Sequence, residues 1–167
     1  VLSEYGIGAV DTPVHPNRIL REANLLAVKT DLGREYLETA TSKAFAVADH
    51  QIAHVYIQDA QLIPVVKQLF EQQPGIAQVL DAEGKRESGL DHERSGELVL
   101  LAEPNAWFTY YYWLDDNKAP DFAPTVEIHR KPGYDPCELF FNPELRFPML
   151  RMVGKVLRKK LGFRYLM

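Results

Sequence analysis

The chain has 167 residues, 46% of them hydrophobic and 25% charged, enough for one domain that buries about 70% of its unfolded surface. A disordered tail and a small stapled fold are excluded. Lys and Arg number 19 against 23 Asp and Glu, a formal net charge of −4, which argues against an electrostatic footprint for nucleic acid or an anionic membrane and leaves room only for a local basic patch. The single cysteine, Cys137, excludes an intramolecular disulfide and a zinc ribbon. It favours a reducing, cytoplasmic compartment, although a secreted chain can also lack disulfides. No apolar run approaches the ~18 residues of a membrane helix.

In chain order, Val1 and Leu2 read as a strand that breaks into a loop containing Gly8, Pro13 and Pro16. Asn17 is placed to cap a helix carrying Ile19, Leu20 and Ala23 on one side, with Asn24 at its exit. Residues 26–30 and 34–38 form a hairpin across Asp31-Leu32-Gly33. Residues 43–48 and 52–57, richer in apolar and β-branched types, are sheet core. Leu62, Val66, Leu69 and Phe70 give helical spacing to residues 61–71, with Pro64 confined to the first turn and Pro74-Gly75 as the stop.

Residues 76–80 form a short strand, 82–96 a polar loop or helical turn, and 97–102 a strong apolar strand. The ring-rich stretch 106–114 is predicted to be a strand covered on both faces. Residues 115–148 carry six prolines, forming an irregular but packed insertion. Leu150, Val153, Leu157 and Leu161 then recur at helical spacing among Arg151, Lys155, Arg158, Lys159 and Lys160. Alternating helices and strands without a repeat give the α/β class. Both termini fall in apolar stretches, so the chain reads as a piece of a longer polypeptide, either a single domain over 1–167 or part of a larger one, and strand edges left open there invite homo-oligomerisation.

No Gly-rich phosphate loop, Cys-x-x-Cys pair or His-Glu-x-x-His motif is present, so candidate chemistry rests on scattered groups. Asp49, His50 and His54 are the densest set of metal-capable donors, of types that suit zinc or manganese. On a regular strand His50 and His54 would share a face but lie roughly 13 Å apart. A bend could bring them to one ion; otherwise Asp49 and His50 occupy a turn and His54 is a hydrogen-bonded sheet histidine. His129, Arg130 and Lys131 precede a rigid Pro132-Gly133 turn and either hold an anionic substrate or form a proline-braced loop with solvated charges. His15 and His92 read as structural and surface groups, and Cys137 as an inert buried thiol.

Ser3-Glu4-Tyr5-Gly6-Ile7-Gly8, followed by Asn17-Arg18-Ile19-Leu20-Arg21-Glu22-Ala23-Asn24-Leu25-Leu26, resembles the type I phosphodiesterase/nucleotide pyrophosphatase family of the alkaline phosphatase superfamily. In that family a strand ends in Ser-Asp-His-Gly-Phe or a variant and leads to an Asn-x-x-Leu-Arg-Glu-x-Gly-Leu-Leu helix. Ala53-His54-Val55-Tyr56-Ile57 looks like an inner strand of the family, and residues 94–104, with Gly96-Glu97-Leu98-Val99 at their centre, like its Gly-Asp-Leu-Val strand. The resemblance implies an alkaline-phosphatase-like three-layer sheet domain. It also implies hydrolysis of phosphate esters or diesters, nucleotides among them, with divalent metal, commonly zinc, activating a Thr or Ser nucleophile.

The family's Asp-His metal pair falls here on Glu4-Tyr5: Glu4 can still ligate, whereas Tyr5 replaces an imidazole. Asp49, His50 or His54 are then candidate replacement ligands, and His129 and Lys131 candidate substrate contacts. The family's nucleophile and its Asp-x-x-x-His pair are expected before the matched segment, and its Gly-x-His-Gly histidine after Met167, so no residue here is assigned as catalytic. Two rivals follow: a non-catalytic relative that binds a phosphorylated ligand, and an interaction module built on residues 107–113 and the basic last helix.

Overall fold

The computed structural model describes residues 8–123 together with 147, 150, 153, 154 and 157. The chain divides into two units, Val1–Pro120 and Asp121–Met167. The sequence expectations for Val1-Leu2, Glu4, Tyr5, His129, Lys131, Cys137 and most of the Pro-rich insertion lie outside the described residues. In the second unit Leu150, Val153 and Leu157 are helical, as their spacing predicts, and 70%, 52% and 57% exposed.

The first unit is built on a four-stranded antiparallel sheet in the order β4-β5-β7-β6, from β4 (Ala44–Asp49), β5 (Ile52–Ile57), β6 (Ile76–Leu80) and β7 (Leu98–Ala102). Ahead of it in the chain come β1 (Thr12–Val14), α1 (Pro16–Glu22) and a hairpin of β2 (Val28–Asp31) and β3 (Arg34–Leu37). Between the sheet strands lie α2 (Ile63–Glu71) and α3 (Ala82–Glu87), and β8 (Ala106–Phe108) follows β7 and pairs in parallel with β1. The α/β class read from the alternation is the one observed.

Period-two burial fixes the sheet's register. Ala44, Ala46 and Ala48 of β4 and Ala53, Val55 and Ile57 of β5 are buried, and a one-residue slip would turn these sets to water, whereas Leu98, Val99 and Leu100 of β7 are all fully buried and that strand is covered on both faces. Small alanines on the outer strand let α1 come close, with Leu20 fully buried between them. α2 inserts Val66 and Phe70, both fully buried, at the i and i+4 spacing read from the sequence. Pro64 sits in its first turn, and the preceding 3-10 turn, Ala60–Leu62, is capped by Asp59, which accepts the Gln61 N–H at 2.9 Å.

Two local expectations are corrected. Asn17 does not cap α1: His15 holds that position and Pro16 opens the helix, where its missing N–H is harmless. Asn17 is buried and joined instead to the outer edge of the sheet. Its Nδ2 donates to Ala46 O at 2.8 Å and its Oδ1 accepts the Ala46 N–H at 2.7 Å. Next to it the Ala44 N–H is taken by Leu25 O at 3.0 Å, so β4 presents no open edge there. The opposite outer strand, β6, carries an irregularity between Ile76 and Gln78, a common way of blunting an edge.

The ring-rich segment is likewise a strand only as far as Phe108. Thr109 N–H makes the last ladder bond, to Val14 O at 2.9 Å, and the Thr109 hydroxyl then accepts the Tyr111 N–H at 3.3 Å. A hydroxyl serving the backbone two residues on competes with the ladder and turns the chain.

Candidate functional site

Asp49 ends β4 and His50 opens the turn to β5, with Asp49 Oδ1 3.7 Å from His50 Nε2 and the side chains 79% and 62% exposed. His50 adopts φ +52°, a left-handed backbone that a two-residue hairpin loop demands. This turn is bolted to β8 and to the end of β7: His50 O accepts Phe108 N–H at 2.7 Å and Gln51 O accepts Ala102 N–H at 2.9 Å. Gln51 Nε2 donates to the carbonyls of Glu103, Pro104 and Ala106. The pair is thus held on rigid backbone with both side chains largely exposed.

His54 is not gathered with them. It lies along β5, opposite Val47 and Val99. Its Nδ1 accepts the Gly96 N–H at 3.2 Å, and its ring stacks against Tyr56 at 6.5 Å. Among the described residues no three His, Cys, Asp or Glu side chains converge, so the described donors do not by themselves make a divalent-metal site. Glu4, His129 and Lys131 lie outside the described residues.

The densest polar cluster is one that spacing arguments missed. His15 Nδ1 lies 2.7 Å from Thr109 Oγ1, and the His15 ring stacks on Tyr111 at 5.4 Å. Arg18 lies over the Tyr111 ring at 5.0 Å and the Trp113 ring at 5.9 Å, a cation–π arrangement. Its Nε donates to Trp113 O at 2.6 Å and its guanidinium reaches Asp116 at 3.2 Å. One turn along the helix, Arg21 grips both Glu35 oxygens and donates to Tyr112 O at 3.2 Å. Tyr112 OH in turn donates to Glu35 O at 3.2 Å.

The electrostatics follow from this fork. Glu35 is 5% exposed, and the hydrogen bond from Arg21 holds its carboxyl below the usual range while raising Arg21. Burial pushes the Tyr112 phenol up. Arg34 completes the set by donating to Ala119 O at 2.9 Å. Four backbone carbonyls between Tyr112 and Ala119 are therefore held by three arginines. Arg18 and Arg21 at i and i+3, facing a ring-rich segment, were the signal in the sequence. Tyr111, Tyr112 and Trp113 are 4%, 5% and 2% exposed, so these rings are spent on packing within the unit rather than offered to a partner.

The chain matches the model of the type I phosphodiesterase/nucleotide pyrophosphatase family over residues 1–135. It belongs to that family, the one the Ser3–Gly8 and Asn17–Leu26 segments resemble. Two crystal structures of phosphonoacetate hydrolase from Sinorhizobium meliloti 1021, in complex with phosphonoacetate and with phosphonoformate, are similar to it at 19% identity and a TM-score of 0.43. They cover 60% and 66% of this chain and 24% and 26% of their own, so the chain spans about a quarter of their length. No curated protein matches the sequence.

Proposed function

We propose that this chain is part of a metal-dependent hydrolase of phosphate esters or diesters, nucleotides among them, with zinc as the ion. The family match over residues 1–135 carries the reading, because it spans every candidate group from Glu4 to Lys131. In this reading Glu4 supplies a carboxylate ligand in place of the family's aspartate, with the solvent-facing Asp49 and His50 as further donors. A zinc ion held there would supply Lewis acidity toward a phosphoryl oxygen. His129 and Lys131 would contact the substrate, with the lysine acting as a point cation toward its charge.

None of these residues is a nucleophile, so the 167-residue protein alone is expected to leave phosphodiesters intact. The test is elemental analysis of the purified chain together with a bis(p-nitrophenyl) phosphate assay. Stoichiometric zinc, lost in Glu4→Ala, and no turnover are expected; rapid metal-dependent hydrolysis by this chain, or zinc unaffected by Glu4→Ala, would sink the assignment. A second reading, a relative that binds a phosphorylated ligand without metal, is favoured by Tyr5, since a phenol is a poor substitute for a neutral imidazole donor. Nucleotide binding that persists in chelator would select it.

A further inference from the structure

We infer that His54 is a positioning residue that fastens Gly96 to the sheet, and that it is not a metal ligand. A neutral imidazole has one N–H and one lone pair. With Nδ1 accepting the Gly96 N–H at 3.2 Å, the proton must sit on Nε2, and neither nitrogen has electrons left for an ion. Metal ligation by this ring would first have to break that bond and strand the amide of Gly96, which is buried.

The surroundings show what the bond is for. A Cβ on Gly96 would lie 2.5 Å from Val55 O, 2.7 Å from its N and 2.8 Å from its C; the glycine backbone therefore lies flat against β5, a place only glycine fits. Three further bonds converge there. Lys85 Nζ donates to Gly96 O at 2.6 Å, the Glu97 carboxylate accepts the Ile57 N–H at 2.6 Å, and Tyr56 OH donates to Arg94 O at 2.9 Å. The two family-like stretches, residues 53–57 and 94–104, are thus the two halves of one fastening: His54, Tyr56 and Ile57 on β5 engage Gly96, Arg94 and Glu97 in the segment that leads into β7. The motif's glycine and carboxylate serve the fold, and the histidine aligns them.

This assignment stands or falls separately from the hydrolase reading. In the 15N-labelled 167-residue chain, the His54 ring should show an acceptor-type Nδ1 and a protonated Nε2, both unmoved by excess zinc. His54→Asn, whose Oδ1 sits where Nδ1 did, should keep Tm within about 2 °C, whereas His54→Leu should lower it by about 5 °C and speed exchange of the Gly96 amide about tenfold or more. Zinc shifting the His54 nitrogens together with the Gly96 amide would overturn the inference, as would an asparagine variant as damaged as the leucine one. Zinc perturbing only Asp49 and His50 leaves His54 in its fastening role.

Discussion

The β4-β5-β7 sheet is largely buried, whereas the segment Tyr110–Ala119 is buried at Tyr111, Tyr112 and Trp113 and exposed from Leu114 to Lys118, and the two are held by different means. In the sheet, backbone groups satisfy one another and the side chains of β4 and β5 alternate between core and outer face. In the aromatic segment the ladder has ended, and arginine side chains from α1 and β3 take up the carbonyls instead. A buried backbone must be satisfied either way, but a ladder distributes that duty over every residue whereas the arginine clamp concentrates it in three. The sheet is therefore most vulnerable where space is tightest, and the segment where a charge is removed.

Gly96→Ala attacks the sheet at its closest approach and carries the largest expected effect. The new methyl would meet three backbone atoms of Val55 at 2.5–2.8 Å, and backbone cannot rotate away as a side chain can. A loss of about 4 kcal/mol is expected, at the diagnostic end of single substitutions. Urea denaturation measures it, and a loss under about 1 kcal/mol would show that β5 and Gly96 are less closely apposed than described.

Arg21→Met attacks the clamp. It leaves the buried Glu35 carboxylate without its cation and Tyr112 O without a donor, so about 3 kcal/mol should be lost, with much of it regained in Arg21→Met/Glu35→Leu because the uncompensated charge is gone. The same pair sets an acid dependence. Because the Glu35 carboxyl is lowered in the folded state, its contribution is complete above the ordinary value of 4.5 and is lost as pH falls through the lower folded value. Glu35→Gln should remove that component, which stability curves between neutral and acid pH would reveal. If the acid slope is unchanged in Glu35→Gln, the fork is not its source.

The smallest effect sharpens the contrast. Arg34 is exposed and reaches Ala119 O at 2.9 Å, so Arg34→Gln should cost only about 0.5–1 kcal/mol while raising amide exchange locally around Asp116–Ala119. Uniformly raised exchange across the sheet as well would mean that the two regions are one cooperative unit.

This contrast also explains what the sequence disclosed. Apolar and β-branched richness in residues 43–48 and 52–57, the apolar run 97–102, helical spacing at Leu62, Val66, Leu69 and Phe70, and the Leu32-Gly33 turn are local patterns, and each marks the element found. The helix start at His15 and the strand end at Phe108 were misplaced because each is decided by a partner distant in sequence. Asn17 answers to Ala46 and Thr109 to His15; a residue suited to capping or to a strand gives no sign of being engaged elsewhere. The candidate site was legible only in part. Asp49 and His50 could be placed in a turn and His54 in the sheet, but no spacing rule links His54 to Gly96, 42 residues away.

The Asn17 carboxamide has a consequence for how this protein behaves among its own copies. A strand laid along β4 by a neighbouring molecule would find the Ala46 rung already occupied by an amide that mimics a peptide group on both sides, donor and acceptor. Turning α1 by a single residue would swing that carboxamide by about 100° and unstop the rung. One side chain therefore ties the rotational setting of a helix to the closing of this sheet edge against a further strand.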